Sequence, residues 1–204
     1  RAGEGERELR AKKWDGWRPT HMIGAKVTGK TLGIVGFGRI GQAMASRGHF
    51  GFGMKINIFS RSKVSTELLK RYNAEQFSSV ETLLSESDFV SLHCPGGASN
   101  RHLINASNLA QASPELVLIN TARGEVVDEA ALANALENKV IRAAGLDVFD
   151  GEPSINPVLM SAPNLVMLPH LGSATKETRE EMGLRALENC KAFFSGETPV
   201  DKVA

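Results

Sequence analysis

Three side chains in this sequence have the types and the company to grip an acid and move a proton. Arg123 stands in Asn120-Thr121-Ala122-Arg123-Gly124, directly after the apolar run Leu116–Asn120. A planar guanidinium there is either a structural ion pair, with Asp147 as partner, or a fork for a carboxylate or polarised carbonyl. His170 lies in Leu168-Pro169-His170-Leu171-Gly172-Ser173, between a proline turn and a helix start. Glu152, in Gly151-Glu152-Pro153, supplies the carboxylate that would raise the pKa of an imidazole and hold its orientation. Such a histidine can give a proton to a carbonyl oxygen during reduction at carbon.

A second group of residues points to a phosphate ligand. Leu32, Ile34 and Val35 form an apolar run that ends in Gly36, Gly38 and Gly41, with helix formers after it. This is G-x-G-x-x-G in the context it requires: strand, tight turn, helix. Gly36 turns the chain, Gly38 leaves room for a pyrophosphate, and Gly41 lets helix and strand pack closely. The helix beginning near Arg39 and Ile40 aims its free N–H groups at the phosphates. About 20 residues on, an NAD site places a carboxylate on the ribose. Here that place holds Ser60, Arg61 and Ser62. Arginine favours a 2′-phosphate through charge-assisted hydrogen bonds, so NADP(H) is expected over NAD(H), which stays possible.

The elements that must position these groups alternate. Strands are expected at Leu32–Val35, Met54–Phe59, Glu75–Phe77, Phe89–His93, Leu116–Asn120, Ala143–Phe149 and Leu165–Leu168. Helices are expected at Gln42–Phe52, Thr66–Tyr72, from Ser79, at Asn105–Ala112, from Asp128 to Leu136, and at Thr175–Phe194. Short, apolar strands separated by helices imply an α/β fold: a doubly wound parallel sheet of six to seven strands, helices on both faces. Ligands bind beyond the carboxyl ends of such strands. The cofactor-binding set therefore comprises Gly36, Gly38, Arg39, Ile40, Gly41, Ser60, Arg61, Ser62, His93, Cys94, Pro95, Thr121, Ala122, Arg123, Asp147, His170, Gly172 and Ser173. No metal site is expected.

Bulk properties exclude other classes. Net charge is +1, which argues against a nucleic-acid or membrane-surface partner. No apolar run reaches the roughly 18 residues of a membrane span. Two distant cysteines and no signal peptide make a reduced cytoplasmic interior the default expectation. Residues 1–20 read as a charged helix and an arm carrying Trp14 and Trp17, residues 21–194 as the dinucleotide-binding domain, and residues 195–204 as a tail.

The segments GKTLGIVGFGRIGQA, SLHCP, LINTARGEVVDEAAL, AAGLDVFDGEP and LPHLGSAT, in this order and spacing, resemble the D-isomer-specific 2-hydroxyacid dehydrogenases. The Ser-Arg-Ser sequence resembles the NADP-preferring glyoxylate/hydroxypyruvate reductases among them. The resemblance implies Arg123 orienting a 2-oxo acid, His170 as acid/base, and Glu152 tuning His170. It implies Gly38, Arg39 and Ile40 along the pyrophosphate, Thr121 and Arg123 beside the nicotinamide, and Asp147 on the carboxamide. It also implies a homodimer built through the first helix, the arm and the cofactor domain. Family members carry a substrate domain that has no counterpart here, and Gly96-Gly97-Ala98-Ser99 replaces their Thr-Pro-containing loop. The alternatives are an NAD-dependent phosphoglycerate- or lactate-type dehydrogenase, or a nucleotide-sensing module like the related corepressors.

Overall fold

A computed structural model describes residues 1–202. Among them, seven strands form one sheet: β1 (Thr31–Val35), β2 (Lys55–Phe59), β3 (Ala74–Phe77), β4 (Phe89–Leu92), β5 (Val117–Asn120), β6 (Ala143–Leu146) and β7 (Leu165–Met167). Their order is β3-β2-β1-β4-β5-β6-β7, every pair parallel, as the expected doubly wound sheet requires. The chain order reverses between β1 and β4, which pair from Leu32↔Phe89 to Val35↔Leu92. A crevice opens at such a reversal, beyond the carboxyl ends.

The helices are α1 (Ala2–Arg10), α2 (Arg39–Ser46), α3 (Thr66–Arg71), α4 (Val80–Ser85), α5 (Ala106–Leu109), α6 (Glu129–Glu137), α7 (Pro157–Met160) and α8 (Lys176–Phe194). From α3 onward their starts are set by short polar side chains that accept from the first free N–H groups, whereas α1 and α2 begin without a side-chain cap. Ser65, Ser79, Asp128 and Thr175 each do this. Asn105 and Asn108 cap α5 reciprocally.

Two apolar clusters hold the sheet. Ile34, Ala45, Ile56, Ile58 and Tyr72 pack β1 and β2. Leu83, Leu92, Leu118, Leu132 and Leu146 pack β4, β5 and β6. Burial of each such leucine or isoleucine contributes about 1.5–3 kcal/mol.

Several boundaries differ from expectation. The α-helix after the glycines ends at Ser46, and Arg47–Gly51 widen into a π turn. Gly48 and Gly51 lie in that turn, and glycine holds an α-helix poorly. The helix expected at Asn105–Ala112 stops at Leu109, where the amides of Gln111 and Ala112 bond three residues back to Asn108 and Leu109. β6 stops at Leu146, the last residue in register with both neighbours, Asn120 of β5 and Met167 of β7. Asp147–Phe149 are therefore loop, not strand. By compactness the chain divides into two units, Arg1–Leu168 and the part from Pro169 on.

Candidate nucleotide site and catalytic loops

The first unit contains a crevice of about 210 Å³ at the reversal between β1 and β4. Of the residues expected there, Gly36, Gly38, Ser60, Arg61, Ser62, His93, Cys94 and Pro95 line it. Val35, Phe37, Phe59, Asn100 and Leu103 complete the wall.

The three glycines are glycine for different reasons. Gly36 has φ +90°, and a β-carbon there would lie 2.7–2.8 Å from the backbone of His93 and Cys94. The turn and the close approach of the two strand ends both demand it. A β-carbon on Gly41 would collide with the carbonyl oxygen of Gly36. Gly38 is unlike both. Its φ of −75° suits any residue, and a β-carbon there would meet nothing within 4 Å. The fold itself does not require glycine at position 38, and the backbone there is left open to the outside. A diphosphate seated on the N–H groups at the start of α2 fits that opening. Arg39 and Ile40, in the first turn of α2, are exposed beside it.

At the far end of the crevice, Arg61 Nη1 donates to Ser99 Oγ at 3.2 Å. His93 Nε2 and Ser91 Oγ share a hydrogen bond of 2.9 Å, and burial holds the His93 imidazole below its ordinary pKa. Burial pushes the Cys94 thiol up, opposed by its own backbone hydrogen bond and by the Arg61 guanidinium. The thiol is accordingly kept as a neutral wall.

Beyond β5 and β6 lie the catalytic candidates of this unit. Asn120 is buried; its Nδ2 donates to the Arg123 carbonyl at 2.9 Å, and its Oδ1 accepts from the Ala122 amide at 3.0 Å. One buried side chain thus shapes the loop Thr121–Arg123. The Arg123 side chain is exposed, with Nη1 donating to the Ala122 carbonyl at 2.6 Å. Glu152 Oε1 accepts from the Phe149 amide at 2.9 Å. Asp147 is buried where the loop leaves β6.

Four residues outside the sequence-based set tie these loops together. Arg101 reaches Asp150 at 2.8 Å and Glu125 at 3.6 Å. Glu125 Oε1 also accepts from the Gly97 amide at 2.5 Å. Glu129, buried at the start of α6, accepts from the Asp150 amide at 2.9 Å. Burial raises its carboxyl pKa, partly offset by that amide. Gly124 is the fourth: a β-carbon there would overlap the backbone of Phe149 and Asp150. Gly124 and Glu129 lie in the quoted segment LINTARGEVVDEAAL, but nothing local in it reveals their partners.

His170, Gly172 and Ser173 belong to the second unit, in the turn before α8. His170 is exposed and takes the left-handed φ of +54°, as six other non-glycine residues do among those described. The turn is closed by the Ala174 amide on the Leu171 carbonyl and the Thr175 amide on the Ser173 carbonyl, both at 2.9 Å. Among the described residues, no group of His, Cys, Asp and Glu could hold a metal, and no helix is long and apolar enough to cross a membrane.

Comparison with known proteins shows the family and the fold. A family model described as D-isomer specific 2-hydroxyacid dehydrogenase, NAD binding domain, matches residues 1–172. A glyoxylate reductase of Thermococcus litoralis is 46% identical over 204 residues, covering 98% of this chain and 61% of the relative. A glycerate dehydrogenase of Hyphomicrobium methylovorum is 41% identical over 196 residues, covering 96% and 61%. A solved NADPH-dependent glyoxylate/hydroxypyruvate reductase from Sinorhizobium meliloti, in complex with NADP and malonate, superposes with a TM-score of 0.86 at 36% identity, covering 98% of this chain and 62% of that one. The chain thus spans about 61% of the length of the curated relatives it matches. With most of its residues inside the family model, the chain belongs to the D-isomer specific 2-hydroxyacid dehydrogenases, of which it carries the NAD-binding domain.

Proposed function

We propose that this chain is the cofactor-binding portion of an NADPH-dependent reductase of small 2-oxo acids, with glyoxylate or hydroxypyruvate as the leading substrates. The observation that carries this reading is the crevice: open backbone at Gly38, and Arg61 on its wall where an NAD site wants an acid. Gly38, Arg39 and Ile40 hold the diphosphate, and Ser60, Arg61 and Ser62 hold the phosphorylated ribose. His93, Cys94 and Pro95 wall the adenosine side. Thr121, Ala122 and Arg123 are assigned to the nicotinamide, Asp147 to its carboxamide, and Gly172 and Ser173 to the same cofactor-binding set. A bound reduced nicotinamide supplies the hydride.

The residues of the chain do the rest. Arg123 grips and orients the 2-oxo acid and stabilises the negative charge that grows on its carbonyl oxygen. The role proposed for His170 is to donate the proton that this oxygen takes up, and that proposed for Glu152 is to orient the imidazole. In the same proposal the enzyme is a cytoplasmic homodimer held partly through the arm, whose Trp14 and Trp17 are 52% and 82% exposed. A substrate domain outside this chain closes over the 2-oxo acid.

The test is NADPH oxidation by the full-length parent with glyoxylate and hydroxypyruvate. Turnover is expected with both and should fall at least about a hundredfold in His170→Ala. Undiminished turnover in that variant overturns the proposal.

A further inference from the structure

Arg61 and Ser99 come from opposite sides of the crevice. Arg61 follows β2 and Ser99 follows β4, and these strands flank β1 on either side. Their hydrogen bond of 3.2 Å therefore spans the crevice mouth beyond the end of β1. Arg61 itself lines the crevice, as does Cys94.

The two partners differ in how firmly they are held. Ser99 sits on a braced turn. Gly97 takes φ +98° and anchors its amide on Glu125 at 2.5 Å. The buried Asn100 donates through Nδ2 to the Pro95 carbonyl at 2.8 Å, and its amide bonds the Gly97 carbonyl at 3.0 Å. Arg61 is an exposed side chain on a loop, free to populate many rotamers. A surface hydrogen bond to a hydroxyl adds little to stability. It can, however, select one rotamer and so lower the ordering cost when a ligand binds.

We propose that Ser99 is a positioning residue for nucleotide selectivity, holding the Arg61 guanidinium at the adenosine end of the crevice in readiness for a phosphate on the ribose. The inference rests on the NADP reading above and adds a residue from the Gly96–Ser99 segment, where the chain departs from the Thr-Pro-containing loop. Ser99 acts through Arg61 and does no chemistry itself.

Titration calorimetry of this chain with 2′,5′-ADP and 5′-AMP, which differ only in the 2′-phosphate, tests it. The unsubstituted chain should prefer 2′,5′-ADP. Ser99→Ala should weaken 2′,5′-ADP by about fivefold and 5′-AMP by less than about twofold, and Ser99→Thr, which keeps the hydroxyl, should restore most of the loss. In an Arg61→Ala background, Ser99→Ala should change neither affinity, because the effect runs through the guanidinium. An equal loss for both nucleotides, no loss at all, or a loss that persists without Arg61 overturns the inference. If the unsubstituted chain shows no preference for 2′,5′-ADP, the NADP reading itself falls. If the preference vanishes in Arg61→Ala yet survives Ser99→Ala intact, only the role of Ser99 falls.

Discussion

The backbone of Phe149 fills the space that a β-carbon on Gly124 would need. The loop that carries Arg123 and the loop that carries Glu152 are therefore pressed together main chain to main chain. No rotamer change can relieve a side chain there, because the obstacle is backbone on both sides. Gly124→Ala is expected to lower stability by about 3 kcal/mol or more, beyond the usual range for overpacking. Thermal unfolding checks this, and activity of the full-length parent should fall with it.

Gly38 and Gly41 should separate ligand binding from folding. Gly38→Ala meets open space at an ordinary φ, so its unfolding temperature should match that of the unsubstituted chain. Its NADPH affinity should drop at least about tenfold, because the new methyl stands where the diphosphate approaches. Gly41→Ala should do the reverse in the first instance, losing about 1–3 kcal/mol of stability through its clash with Gly36. Denaturant melts and calorimetry on both variants decide the matter.

Arg61→Asp should invert cofactor preference. Loss of a charge-assisted contact and gain of a repulsion should weaken NADPH by about 10- to 100-fold. NADH should bind more tightly, as its free ribose hydroxyls can donate to the new carboxylate. Tighter binding of NADH than NADPH by the unsubstituted chain would contradict the role given to Arg61.

Two groups shifted by burial, the half-buried His93 and the buried Glu129, give stability opposite slopes with pH. Burial holds His93 below its ordinary value near 6.5. The unfolded chain then binds more protons than the folded one below that pH, so stability rises as pH climbs toward 6.5 and is lost on acidification. Burial lifts Glu129 above its ordinary value near 4.5. The folded state keeps that proton longer, so stability falls as pH rises from 4.5 through the folded value. Urea midpoints measured from about pH 4 to pH 8 should show both. His93→Gln should flatten the rise, and Glu129→Gln should flatten the fall while its amide oxygen keeps the bond from Asp150.

The parts of this fold legible in sequence are those set by short-range rules. Apolar runs gave β1 and β5, and Ser79, Asp128 and Thr175 announced the helices they cap. The glycine spacing placed the crevice. The parts not legible in sequence depend on partners distant along the chain. Arg101 and Asp150 meet across 49 residues, and Arg61 and Ser99 across 38. Asp147–Phe149 reads as strand because it is apolar enough, but a strand lasts only as long as its neighbour pairs with it. Helix α7 is four residues opened by Asn156 and Pro157, too short to show a period.

Position 38 records a history as well as a site. Two of the three glycines would survive in a descendant that had abandoned nucleotides, because folding alone enforces them. On the proposed function, Gly38 answers only to the visitor. In a lineage released from that visitor it should be the first of the three to drift, and a survey of such descendants would date the loss of binding from that one column.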